Sequence, residues 1–176
     1  MRQLRAYKKT VSIVKETSVG LYENFVGKKK GFLLESFDKN NGRYTIFGKE
    51  PKEIITSKGN SLVILKSDGS KEIREGNPVE RLKEYYNEFK VTKDDGELAF
   101  LGGLVGSLGY DFIRYTEKLP DQREDEIGIE TIQLMLAEEF IVIDHMAETL
   151  TGVVLQEDSI KKKKKGEAFC QKLVEQ

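Results

Sequence analysis

A single cysteine, Cys170, and a single histidine, His145, are the first limits set by the 176-residue sequence. One thiol excludes an internal disulfide framework and a cysteine-rich zinc site. One imidazole leaves almost no material for a histidine-based metal centre. No run approaches the roughly 18 apolar residues of a spanning helix, and the longest apolar stretches are strand-length. The opening MRQLRAYKKTVSIVK is basic but has no continuous apolar centre, so it does not read as a secretory signal. The cytoplasm is therefore the expected compartment. An excess of one charge is also missing. The 29 Lys and Arg against 30 Asp and Glu leave a net charge of −1, with no global basic field to attract nucleic acid.

What is present suits a folded domain. At 38% hydrophobic and 34% charged, the chain is neither disordered nor membranous, and it reads as a single domain over residues 1–176. Its charge is uneven: residues 1–30 hold eight bases against two acids, and residues 117–139 hold eight acids against two bases. Such polarity suits either a docking face or ordinary solvated surfaces.

The pattern predicts an α+β fold. Ser18–Val26 places Leu21, Tyr22 and Phe25 on one helical face behind Thr17 or Ser18 as cap. GFLLES, beginning at Gly31, suits a buried strand, and GRYTIFG over Gly42–Gly48 suits another. Ser61–Lys66 and Lys71–Glu75 flank an Asp-Gly turn, a strong hairpin signal. Asn77, Pro78 and Glu80 then open a helix whose apolar stripe, Val79, Leu82, Tyr86 and Phe89, predicts that it runs to Phe89. Lys90–Glu97 reads as a polar loop, Leu134–Asp144 and Thr149–Leu155 as two strands, and the segment from Asp158 as a helix. The last residues, Leu173–Gln176, carry no helix-closing signal, so the sequence is expected to be the N-terminal part of something longer, with 158–176 a terminal or linker helix.

No motif here marks a catalytic centre. GGLVGSLG over residues 102–109 lacks both the Gly-Lys-Ser/Thr of a phosphate loop and a Gly-x-Gly-x-x-Gly, so its glycines read as close backbone approach or a bulge. Asp144-His145 could serve acid–base chemistry, but no nucleophile accompanies it, and a hydrogen-bonded turn histidine is the simpler reading. Cys170 reads as a small apolar helix residue. Lys161–Lys165 has no interleaved aromatic and is flanked by acids, so a solvated helix face is preferred to a nucleic-acid or membrane contact.

Several strings nevertheless occur together and in order. They are GFLLES (Gly31–Ser36), RYTIFG (Arg43–Gly48), FLGGLVG (Phe100–Gly106), GYDFIR (Gly109–Arg114), EKLP (Glu117–Pro120) and IDH (Ile143–His145). On these strings the chain resembles the N-terminal domain of anthranilate synthase component I, from about Thr17 to Leu155. Component I of aminodeoxychorismate synthase shares much of the pattern and is the close alternative; a stand-alone binding or scaffold module is the other. Two positions depart from the family: Ser107, where it commonly has Tyr, and Thr17-Ser18, where it often has Thr-Pro.

The resemblance implies a largely antiparallel sheet with a few packed helices, one half of the chorismate-utilising sandwich. It also implies a parent lyase that converts chorismate and ammonia to anthranilate and pyruvate in tryptophan biosynthesis. The ammonia would come from a glutamine amidotransferase subunit. The catalytic groups and the Mg2+ ligands would lie in a C-terminal chorismate-binding region, so no catalytic or metal residue is expected in this chain, which alone should be inactive. Feedback inhibition by L-tryptophan is implied at Leu34, Glu35 and Ser36, with Arg43 and Tyr44 on the following strand. Leu33 reads instead as core. No nucleic-acid or membrane partner is expected, and a sheet face left uncovered would favour a homo-oligomer.

Overall fold

The computed structural model describes residues 1–12, 17–36, 42–92, 98, 100–120, 128–157, 166–168, 170–172 and 174. It begins with β1 (Arg2–Ser12), α1 (Ser18–Val26), β2 (Gly31–Glu35) and β3 (Tyr44–Lys49). Then come β4 (Glu53–Lys58), β5 (Ser61–Lys66), β6 (Lys71–Glu75) and α2 (Pro78–Tyr86). After β7 (Phe89–Thr92), β8 (Gly103–Leu108) and a 3-10 helix at Tyr110–Tyr115 lie β9 (Ile132–Ala137), β10 (Glu139–Asp144) and β11 (Thr149–Glu157). The expected α+β class, with largely antiparallel sheets, is the one observed. Among the described residues no helix is long and apolar enough to cross a membrane.

The chain forms two compact units. The first comprises Met1–Pro51, Phe89–Gly103 and Ala137–Gln176, and holds the six-stranded sheet β2-β3-β10-β11-β1-β7. One face of this sheet packs against α1. Leu33, Phe47, Ile141, Ile143, Leu150, Val154 and Tyr7 project from it to meet Leu21, Tyr22, Phe25 and Val26 of the helix. The Phe25 and Tyr22 rings meet Phe47 edge-on at 5.6 and 6.0 Å, an arrangement favoured by the aromatic quadrupole. Leu33 packs against this core, as expected. Thr17 caps α1 by accepting the Gly20 N–H at 3.1 Å.

Residues 166–168, 170–172 and 174 are helical, and the buried Cys170 joins the same cluster with its thiol on the Tyr7 carbonyl. Burial pushes this thiol up to about 11, so it stays protonated and acts as the small apolar residue expected. The lysine run at 161–165, and with it Ile160, Phe169 and Leu173, lies outside the described residues.

The second unit, Lys52–Glu88 with Leu104–Leu136, carries the five-stranded sheet β6-β5-β4-β9-β8. The β5–β6 hairpin forms where Asp-Gly stands, with Asp68 accepting the Ser70 N–H at 2.8 Å. Asn77 caps α2 through the Val79 N–H at 2.9 Å, with Pro78 in the first turn.

Three expectations are corrected. α2 stops at Tyr86 rather than Phe89, and Tyr85, not Tyr86, is its buried aromatic. Phe89 instead opens β7, which pairs in parallel with β1 from Arg2 onward, so strand pairing overrides a helical spacing read over too long a window. The same β7 takes Lys90–Thr92 from the segment expected to be a loop. The run read as one strand over Leu134–Asp144 is two, because β9 pairs with β4, whereas β10 pairs with β3 and β11. The break falls at the buried Glu138.

Candidate functional site

The five positions singled out by resemblance gather at one end of the β2–β3 hairpin. Register explains how. β2 and β3 pair antiparallel with Leu34 opposite Ile46 and Glu35 opposite Thr45, and the Ser36 N–H continues the ladder to the Tyr44 carbonyl at 3.4 Å. β10 lies on the other side of β3, with Ile143 opposite Thr45 and Asp144 opposite Tyr44. Residues opposite one another share a face of the sheet, and successive residues alternate.

The hairpin end therefore presents two different surfaces. On the face covered by α1, Glu35 accepts a hydrogen bond from the Ser18 hydroxyl and a longer one, 3.4 Å, from Thr45. Thr45 is fully buried, and its hydroxyl lies 2.8 Å from His145 Nε2. The His145 N–H donates to the Arg43 carbonyl at 2.9 Å, which keeps the imidazole beside Thr45. Ser18, Glu35, Thr45 and His145 thus form one continuous polar chain. His145 is a hydrogen-bonded turn residue, as its sequence context predicts.

On the opposite face Leu34 stands beside Ile46, and at 46% exposure it is an apolar surface rather than core. Arg43 grips Asp144 with two nitrogens, at 2.7–3.1 Å, and lays its guanidinium 4.8 Å from the centre of the Tyr44 ring. Glu35 is accordingly separated by the sheet from Leu34 and Tyr44. All five residues sit at the hairpin end, but they do not share one wall.

Asp144 is the best-anchored carboxylate at this end. The Arg43 hydrogen bonds, with those from the Ala147 and Met146 N–H groups, hold it below the usual carboxylate range. A depressed carboxylate stabilises the fold above its unfolded-state value, near pH 4, and loses that contribution as pH falls through the lower folded-state value. Asp144→Asn is therefore expected to cost about 1 kcal/mol at pH 7, since Arg43 is half exposed and screened. The gap to the parent should narrow by pH 3. Urea unfolding at both pH values measures it, and an equal gap at both would refute the assignment.

Resemblance did not single out Ser18, Thr45, Asp144 or His145 as part of this site. For the last three the signal was the RYT and IDH strings, which stand about a hundred residues apart and meet only because β3 and β10 are sheet neighbours; Ser18 had none. Among the described residues no group of three or more His, Cys, Asp or Glu side chains is placed to hold a metal. These residues do not fit a magnesium site.

No protein-family model matches the chain. Anthranilate synthase component 1 of Acetivibrio thermocellus is 36% identical over 141 residues, covering 79% of this chain and 28% of that protein. The component 1 proteins of Pseudomonas putida and Arthrobacter globiformis are 28% and 30% identical, over 91% and 77% of this chain. A crystal structure of anthranilate synthase component I from Streptococcus pneumoniae TIGR4 superposes with a TM-score of 0.55 at 24% identity, covering 91% of this chain and 34% of that one. At that identity the likeness speaks for the fold alone. The chain spans between 26% and 34% of the length of these curated relatives. Along most of its own length, the chain is a relative of anthranilate synthase component 1.

Proposed function

We propose that this chain is the L-tryptophan-binding regulatory part of an anthranilate synthase component I. In this reading the whole enzyme converts chorismate and ammonia to anthranilate and pyruvate, and a glutamine amidotransferase subunit supplies the ammonia. Its chorismate chemistry and Mg2+ belong to a region outside these residues. The chain alone is then expected to form no anthranilate from chorismate, ammonia and magnesium. The observation that carries the reading is the match to component 1 relatives over most of the chain. The hairpin end supports it with groups an amino acid needs. Glu35 is a carboxylate suited to an α-ammonium and Ser36 an exposed hydroxyl next to it in the chain, while Leu34 and Ile46 lie on the other face of the sheet.

The test is feedback inhibition in a component I enzyme carrying this segment. Ser36→Phe should remove a hydrogen bond worth about 0.5–1.5 kcal/mol and add a steric penalty of roughly 1–3 kcal/mol. Together these raise the half-inhibiting tryptophan concentration by about tenfold to a thousandfold. Glu35→Gln should act in the same direction, because the ammonium loses its charged partner. The uninhibited rate should stay near that of the parent in both. Unchanged tryptophan sensitivity in both variants would rule out this site.

A further inference from the structure

β6 (Lys71–Glu75) is an outer strand of the five-stranded sheet, and among the described residues only β5 pairs with it. Two backbone bonds that bracket it fix which way its N–H and C=O groups point. The Lys66 N–H donates to the Ser70 carbonyl and the Gly76 N–H to the Asn60 carbonyl, both at 2.9 Å. Hydrogen-bonded pairs alternate along an antiparallel ladder, so Glu72 and Arg74 turn their backbone groups toward β5. Lys71, Ile73 and Glu75 turn theirs to the open edge. Ile73, in the middle of that edge, is 54% exposed.

The strand reads Lys-Glu-Ile-Arg-Glu, and turned through a half-circle about Ile73 its charges become their own complement. Lys71 then stands opposite Glu75 of a second copy, Glu72 opposite Arg74, and Ile73 opposite Ile73. Neighbouring registers lose this match. A slide of two residues one way sets Glu72 against Glu72, and the other way sets Arg74 against Arg74. Like charges directly opposite are destabilising, whereas opposite charges and apolar pairs stabilise the ladder.

We propose that β6 is a dimerisation edge of this chain, pairing antiparallel with β6 of a second copy about a two-fold axis at Ile73. The two five-stranded sheets then join into one. The occupant is a second copy because the edge is complementary to itself in both backbone and charge, as an isologous contact requires. Edge strands often carry charge to deter pairing. Here two bases and two acids are so placed that pairing neutralises them. On the α2 side of the strand, Arg74 already bonds Glu72 and Glu88 at 2.7 Å and lies 5.5 Å from the centre of the Tyr85 ring. Pairing sets a second such group beside the first, acid against base. α2 packs on β5 and β6, so the two copies of α2 come to lie roughly 10 Å apart, two strand spacings, a distance at which helices pack. One short strand and one helix from each copy make a small contact, so the expected Kd is about 10–100 µM.

Sedimentation equilibrium of the 176-residue chain from about 5 to 500 µM tests this, and the parent should pass from monomer to dimer across that range. Ile73→Pro removes an N–H that the seam needs and β5 does not, and should weaken association about tenfold or more. Lys71→Glu and Glu75→Lys, each alone, set like charges opposite one another and should weaken it by about tenfold. Mixed in equal amounts, these two variants should form a heterodimer near the parent's affinity, because each then meets its opposite charge. The double swap Lys71→Glu/Glu75→Lys in one chain should likewise restore the dimer. Circular dichroism checks that each variant is folded.

A parent that remains monomeric up to about 500 µM overturns the proposal, and the edge charges then serve only to deter pairing. A dimer indifferent to Ile73→Pro and to both reversals lies on another surface and overturns it as well. Reversals that weaken the dimer but are not rescued by mixing overturn the self-complementary register. Should Ile73→Pro unfold the unit, the reversals and their mixture decide alone.

Discussion

Phe47→Ala is expected to lower the stability of the six-stranded unit by about 3–5 kcal/mol, the range for deleting a buried aromatic ring. Phe47 is fully buried and stands near the middle of the face on which α1 packs, touched edge-on by both Tyr22 and Phe25. Its rung, with Leu33 on one side and Ile141 on the other, is pinned by backbone pairing, so the sheet cannot collapse into the space left by the ring. The loss thus combines lost transfer energy with a cavity that persists. Phe47→Leu, which retains most of the volume, should cost clearly less. Urea unfolding followed by far-ultraviolet circular dichroism, beside amide exchange in β2 and β3, measures both. A Phe47→Ala chain within 1 kcal/mol of the parent would mean that α1 is not seated on this face.

Gly106→Ala is expected to be comparably severe for a different reason. Gly106 has φ +153°, a conformation that side chains rarely adopt. A Cβ there would lie 2.0 Å from the Gln133 carbonyl oxygen and 2.9 Å from the Leu134 Cα. Both obstacles are backbone in and beside β9, so no flexible side chain can give way. Backbone strain of about 1–3 kcal/mol and overpacking of similar size together predict a loss of about 3 kcal/mol or more. In a chain of this length that corresponds to a melting point lower by roughly 10 °C. Gly109→Ala is the internal control from the same glycine-rich string, with a negative φ and nearest atoms at 3.5 Å or beyond. It should be close to neutral. Equal melting points for the two variants would refute the close approach of β8 to β9.

The glycines of residues 102–109 illustrate what local pattern can and cannot carry. That the string was no phosphate loop was legible, since the residues a phosphate loop needs were missing. That close approach was the reason for the glycines was also legible. Which glycine is indispensable was not, because the answer depends on Gln133, whose place beside β8 is set by sheet order.

Elements whose reasons are local were present in the sequence. The Thr17 and Asn77 caps, the apolar face of α1 and the Asp-Gly hairpin each depend on residues within a few positions, and each forms as expected. β1 is the contrary case. RQLRAYKKTVS has basic residues along its length and no clean alternation, yet it lies between β11 and β7 and buries Leu4, Ala6 and Tyr7. Its strand character comes from nine paired positions with β11, about 150 residues away. The division of Leu134–Asp144 into β9 and β10, and the conversion of Phe89 from helix to strand, have the same origin. Propensity and periodicity are properties of short windows, and long-range pairing outweighs them.

The candidate site divides along the same line. Resemblance brought Leu34, Glu35, Ser36, Arg43 and Tyr44 together because they flank one hairpin. The sequence by itself determined their order and chemistry, and hence that a carboxylate, a hydroxyl and an apolar side chain lie next to one another in β2. Only the tertiary structure decided what Leu34 and Glu35 meet on the two sides of the sheet. It alone decided that Ser18 from α1 and His145 from the end of β10 complete the polar chain on Glu35. The physical reason is the two-residue period of a strand: neighbours in sequence are sent to opposite faces, and each meets whatever distant segment the sheet order places there.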